Sequence, residues 1–121
     1  MSGTILAVVE DLIFLSKIQQ TSRQIGVEVE LVEITKLAGR LQQSAARAIL
    51  LDLNHRSGRA LDAARAVKSN AQTSSVQIVG FLSHVQGDLA REARQAGLDQ
   101  VMARSAFAEQ LPQLLRQLAG C

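Results

Sequence analysis

The sequence predicts a doubly wound α/β fold, a five-stranded parallel sheet with helices on both faces, and three observations predict it. Five short apolar, β-branched segments recur along the 121 residues, each is followed by a helical pattern, and the central segments do not alternate apolar with polar residues. Runs without alternation suit strands buried on both faces. Strict strand–helix alternation with short links implies parallel strands joined by right-handed crossovers.

The first strand is predicted over Thr4 to Val9, and the pattern Asp11 to Ile25 then places Leu12, Leu15, Ile18 and Ile25 near one helical face before Gly26 stops it. In the second strand, Val27 to Val32, apolar and acidic residues alternate as Val27-Glu28-Val29-Glu30-Leu31, which suits a sheet edge with one solvated face. A helix follows over Ile34 to Gln43, then a third strand over Ala48 to Leu51 and a helix over Gly58 to Ser69. The fourth strand, Val76 to Leu82, precedes a helix over Gly87 to Ala96; the fifth, Gln100 to Ala103, precedes one over Ala106 to Leu118. These helical stretches are rich in Ala, Leu, Gln and Arg, which are good helix formers. Pro112, the only proline, marks a true first turn inside the last pattern or introduces a kink. With no internal repeat, low-complexity tract or linker, one domain is expected over residues 1–121.

Composition narrows the function. Thirteen basic and eleven acidic side chains are spread along the chain without a Lys/Arg cluster, and three Phe with no Trp or Tyr leave no platform for stacking bases. Nucleic acid is therefore not the expected partner. The apolar runs fall far short of the roughly 20 residues a membrane helix needs. The N-terminus lacks the basic and long apolar regions of a secretion signal, and the single cysteine, Cys121, has no internal partner, so the expected compartment is the cytoplasm. At the chain end, Cys121 reads as a bystander rather than a nucleophile. No Gly-x-Gly-x-x-Gly follows the first strand and no Gly-rich phosphate loop occurs elsewhere, which discourages an enzyme of the flavodoxin-like or Rossmann sort.

In a sheet of this kind, ligands gather at the carboxyl ends of the strands. Those ends carry Glu10-Asp11, Asp52-Leu53-Asn54-His55, Ser83-His84 and Arg104-Ser105. Three carboxylates at neighbouring strand ends repel one another unless a cation sits among them, and an all-oxygen cluster suits Mg²⁺. Taken singly, Asp11 and Asp52 read better as caps that complement a helix dipole; taken together, after strands one and three of one alternating pattern, they read better as a site. His55 and His84 lie on the same edge, where a His/Asp metal site competes with the plainer reading of loop residues bonded to backbone or water; no His-x-x-x-His pair or cysteine ligand supports the metal. Arg91 and Arg94 read as a solvated helix face, and Ser105 as the cap of the last helix.

Taken together, these pieces resemble a response-regulator receiver domain over essentially the whole chain. Ile5-Leu6-Ala7-Val8-Val9-Glu10-Asp11 resembles the family's first strand with its acidic pair, and Ile49-Leu50-Leu51-Asp52-Leu53-Asn54 its third strand with the phosphoacceptor aspartate. Gly58 resembles the glycine that opens the third helix, and Ala96-Gly97-Leu98-Asp99 the Ala-Gly-x-Asp turn before the fifth strand. Arg104-Ser105-Ala106-Phe107 stands where the family has Lys-Pro-Phe.

The resemblance implies the flavodoxin-like strand order 2-1-3-4-5 and a non-enzymatic role in two-component signalling. Asp52 would accept a phosphoryl group from a kinase phosphohistidine, with Ser83 and Arg104 contacting that group. Glu10, Asp11, Asp52 and the Asn54 carbonyl would hold Mg²⁺. The partner would be a sensor kinase or a downstream protein, with the fourth helix, fifth strand and fifth helix as docking or homodimer surface. Three departures point to an alternative, a pseudo-receiver that acts as an interaction or dimerisation module without phosphorylation. Arg104 replaces the lysine with a longer, planar fork. Ser105 replaces a proline that follows a cis peptide, and Val101 takes the place of the aromatic switch residue. The link from Asp52 to Gly58 is also short, which brings His55 and Arg56 near the acids.

Overall fold

The computed structural model describes residues 4–83 and 87–120. Among them the strands are β1 (Ile5–Val8), β2 (Val29–Leu31), β3 (Ala48–Asp52), β4 (Gln77–Leu82) and β5 (Gln100–Ala103), and the helices α1 (Leu12–Ile25), α2 (Leu37–Gln43), α3 (Ala60–Ser69), α4 (Gly87–Gln95), α5 (Arg104–Glu109) and α6 (Leu111–Leu118). The strands form one sheet in the order β2-β1-β3-β4-β5, and all four pairings are parallel. Class and strand order are those expected.

The period-2 geometry of the strands divides the core between the two faces. Ile5, Ala7, Leu50, Val79 and Phe81 pack with Phe14, Leu15 and Ile18 of α1 and with Phe107, Leu111 and Leu115 of α5 and α6. Leu6, Val8, Ile49, Leu51, Ile78 and Leu82 point the other way, onto Leu37, Leu41, Ala64, Val67 and Ala93 of α2, α3 and α4. β1 and β3 are buried at every position, as their unbroken apolar runs require, whereas β2 lies at the edge and exposes Leu31. No helix among the described residues is long and apolar enough to cross a membrane.

Local chemistry sets the ends of the elements. The side chain of Asp11 caps α1, with Oδ1 accepting from the amides of Ile13 (3.0 Å) and Phe14 (3.2 Å). Gly26 closes the same helix with φ of 75°, a left-handed conformation that side chains disfavour. Gly58, at φ of 70°, gives the same freedom to the loop from β3 to α3.

Four expectations need correction. Leu12 is 76 % exposed, because the buried stripe of α1 is centred by Phe14, Leu15, Ile18 and Ser22 and leaves Leu12 to its side. Residues Ile34–Lys36 form a 3-10 turn rather than the first turn of α2; two of the three are β-branched. The last helical stretch begins at Arg104, so Ser105 sits inside the first turn, and α5 starts from Ala103 with no side-chain cap. That stretch also breaks at Gln110, after which Pro112 occupies the first turn of α6, where its missing N–H costs nothing. Cys121 and His84 lie outside the described residues.

Candidate functional site

The carboxyl edge of β1, β3 and β4 and the start of α5 bring five predicted residues close together, Asp11, Asp52, Asn54, Ser83 and Arg104. Asp52 ends β3 and is only 4 % exposed, one of the two buried polar or charged side chains among the described residues. Its Oδ1 accepts from the Asn54 amide at 2.9 Å, while Leu53 N still donates to Phe81 O and continues the ladder beyond the strand. Asn54 Oδ1 accepts from Ser83 N at 2.7 Å and ties the loop after β3 to the exposed end of β4.

Arg104 supplies the positive charge. Its Nη1 donates to Asp11 Oδ2 at 3.2 Å, and its Nη2 lies 3.6 Å from Asp52 Oδ2, so one guanidinium faces both carboxylates. It lies over two phenylalanine rings, and the third phenylalanine packs behind them. The guanidinium carbon lies 5.1 Å from the Phe14 ring centre and 5.7 Å from that of Phe81, and Phe81 stacks on Phe107 at 4.7 Å. Contacts of this kind contribute about 0.5–2 kcal/mol, the upper end where the cation is desolvated. Arg104 Nε is buried without a hydrogen-bond partner, so the guanidinium is held by ring faces and two acids rather than by a full set of acceptors.

Burial pushes the Asp52 carboxyl above its ordinary range. The Asn54 amide, Arg104 and His55 pull it back down, and Glu10 adds a smaller upward push. Desolvation wins: the site holds a carboxylate whose charge is only partly compensated.

Glu10 faces elsewhere. Its Oε1 accepts from the Arg56 amide at 2.6 Å and lies 3.6 Å from His55 Nδ1, so it braces the short loop after β3. His55 Nδ1 also lies 2.9 Å from Ser57 Oγ and accepts from the Ser57 amide at 3.2 Å, the arrangement of a loop histidine bonded to its own turn. Arg91 and Arg94 are exposed on α4, and Val101 is half-buried against the core. An apolar groove between α2 and α3, of about 330 Å³ and lined by Leu37, Leu41, Ala63 and Val67, contains none of these residues.

The carboxylate donors suit Mg²⁺ by type. Among the described residues, however, no three acids, histidines or cysteines converge to hold a metal ion, because Arg104 stands between Asp11 and Asp52 and Glu10 is engaged with the loop. The Oδ2 atoms of Asp11 and Asp52 both face the Arg104 guanidinium. Sequence reasoning missed the aromatic bed beneath Arg104; the signal available was Phe14, three residues after Asp11, together with Phe81 near the end of β4.

No protein-family model matches the sequence, and no curated protein matches it either. Its structure is similar to that of a putative response regulator from Chloroflexus aurantiacus J-10-fl, with a TM-score of 0.87 at 14 % identity over 100 % of both chains. It is also similar to the receiver domain of a sensor histidine kinase from Pseudomonas aeruginosa PAO1, a structure with a magnesium ion coordinated in the active-site cleft (TM-score 0.79, 22 % identity, 100 % of both chains). A third similar structure is the phosphorylated cyanobacterial phytochrome response regulator RcpA, with a TM-score of 0.82 and 20 % identity over 98 % of this chain and 91 % of that one. The fold is that of response-regulator receivers.

Proposed function

We propose that the chain is a receiver-like signalling module, not an enzyme, in which Asp52 accepts a phosphoryl group and a protein partner reads the result. The observation that carries this reading is the placement of Asp52: a desolvated carboxylate at the end of a central strand, beside a second acid and facing a cation. In capture, an Asp52 oxygen attacks the phosphorus of a phosphohistidine, the new O–P bond forms as the P–N bond breaks, and the imidazole leaves with the electron pair. Arg104 offsets charge on the phosphoryl oxygens, and the Ser83 hydroxyl, at the end of β4, hydrogen-bonds one of them. Asp11, Asp52, the Asn54 carbonyl and, once released from the Arg56 amide, Glu10 would hold Mg²⁺, and the ion would supply the further neutralisation that phosphoryl transfer needs. Output is docking through the face formed by α4, β5 and the last helical stretch, α5 with α6, where α4 presents Arg91 and Arg94.

The contact of Arg104 with both acids favours a second reading, a module whose pocket is permanently neutralised and whose docking needs no phosphorylation. Intact-mass spectrometry after incubation with acetyl phosphate and Mg²⁺ separates the two. A phosphoryl mass gain in the wild type that is absent from Asp52→Ala supports the first reading. No gain in either protein gives the second.

A further inference from the structure

We infer that Arg104 is the resident cation of this pocket and that its guanidinium and a divalent ion exclude one another at Asp11 and Asp52; the inference deepens the receiver reading and rests on it. Each of the two carboxylates has one oxygen committed to the backbone. Asp11 Oδ1 caps α1 on the amides of Ile13 and Phe14, and Asp52 Oδ1 holds the Asn54 amide. Each has one oxygen left, Oδ2, and Arg104 addresses both, through Nη1 at 3.2 Å and Nη2 at 3.6 Å. A Mg²⁺ ion binds its oxygens at about 2.0–2.1 Å. An ion shared by the two Oδ2 atoms therefore takes the volume that the guanidinium nitrogens fill, and two cations in that volume repel each other at short range.

The arginine is also placed to stay. Its carbon lies over Phe14 and Phe81, rings that pack with the fully buried Phe107, and its side chain is only 30 % exposed. A lysine is a point charge without a fork and addresses one acid at a time, whereas the planar guanidinium spans two and stacks on the rings. Its retention is incomplete, because Nε has no acceptor and the Asp52 contact is longer than a hydrogen bond. Arg104 thus decides whether the acid pair takes a metal, in addition to its action on the phosphoryl oxygens.

The test counts free Mn²⁺ by its room-temperature electron paramagnetic resonance signal while the full chain is titrated with the ion. Arg104→Met keeps an apolar stem over the rings and removes the charge. It is expected to bind one Mn²⁺ at least about tenfold more tightly than the wild type, the coupling expected of two ligands that compete for one site. Asp52→Asn added to that variant is expected to abolish the gain. Circular dichroism checks that each variant is folded, and Arg104→Gln replaces Arg104→Met if the latter is not. Equal affinity in wild type and variant overturns the inference, since guanidinium and ion then coexist, and so does the absence of Mn²⁺ binding from all the proteins. The two failures stay distinct. A wild type that captures phosphoryl but shows no Mn²⁺ gain on losing Arg104 refutes exclusion alone; a chain that shows the gain but never captures phosphoryl refutes the acceptor reading alone.

Discussion

The sheet carries an ion-pair cluster at each end, and the two are finished to different degrees. At the amino end, Lys68 Nζ donates to Ser74 O at 3.2 Å, Val76 O at 2.6 Å and Asp99 Oδ2 at 2.9 Å, so all three ammonium donors have acceptors. Asp99 Oδ2 in turn accepts from Ile78 N at 2.8 Å and fixes the start of β4. At the carboxyl end, Arg104 has five donors but leaves Nε orphaned, makes one hydrogen bond to Asp11 and only approaches Asp52. A saturated cluster holds strands in register and has nothing to gain from a ligand. An unsaturated one, built on a carboxylate that burial disfavours, gains from any species that completes it.

The largest expected difference between the ends is in phosphoryl capture. With acetyl phosphate and Mg²⁺, Asp52→Ala loses the mass gain completely, while Asp99→Ala keeps it at the wild-type level, as followed by intact-mass spectrometry. Capture that survives in Asp52→Ala would move the acceptor elsewhere and remove the distinction between the two clusters.

The extent to which each end could be read from sequence follows the same division. Position along a strand is a local property, so the apolar runs located β1, β3, β4 and β5 within a residue or two, and the strand ends named Asp11, Asp52 and Arg104 as neighbours. Side-chain reach is not local. That Arg104 spans two acids depends on rings contributed by α1 and β4, and that Glu10 turns to the Arg56 amide depends on how the loop after β3 closes. Lys68 and Asp99 are 31 residues apart, and nothing in the local pattern of either announces the partner. The late helix was legible as helical, but its break at Gln110 was not, because Pro112 is compatible with both a kink and a new first turn.

A smaller effect separates the ends by stability. Asp99→Ala removes the acceptor of both Lys68 and the Ile78 amide, and the loss of hydrogen bonds to a charged group costs about 2 kcal/mol. Urea unfolding followed by circular dichroism should show a lower midpoint at unchanged slope. A loss below about 0.5 kcal/mol, the level of an exposed pair, would mean that this cluster is decoration rather than a strand clamp.

The smallest effect has the opposite sign. Asp52→Asn keeps the size of the side chain and an oxygen for the Asn54 amide, but removes a carboxylate that burial holds above its usual pKa range. It also gives up the 3.6 Å approach of Arg104, which still keeps its hydrogen bond to Asp11. Because desolvation outweighs the compensating partners in the native protein, removing the charge at neutral pH should stabilise the fold by about 1 kcal/mol, the scale of gain found where a site is kept at the expense of stability. The same unfolding experiment decides the sign. Destabilisation by Asp52→Asn would mean that Arg104 already compensates the charge in full, and the carboxyl end would then be as finished a structural cluster as the one around Lys68.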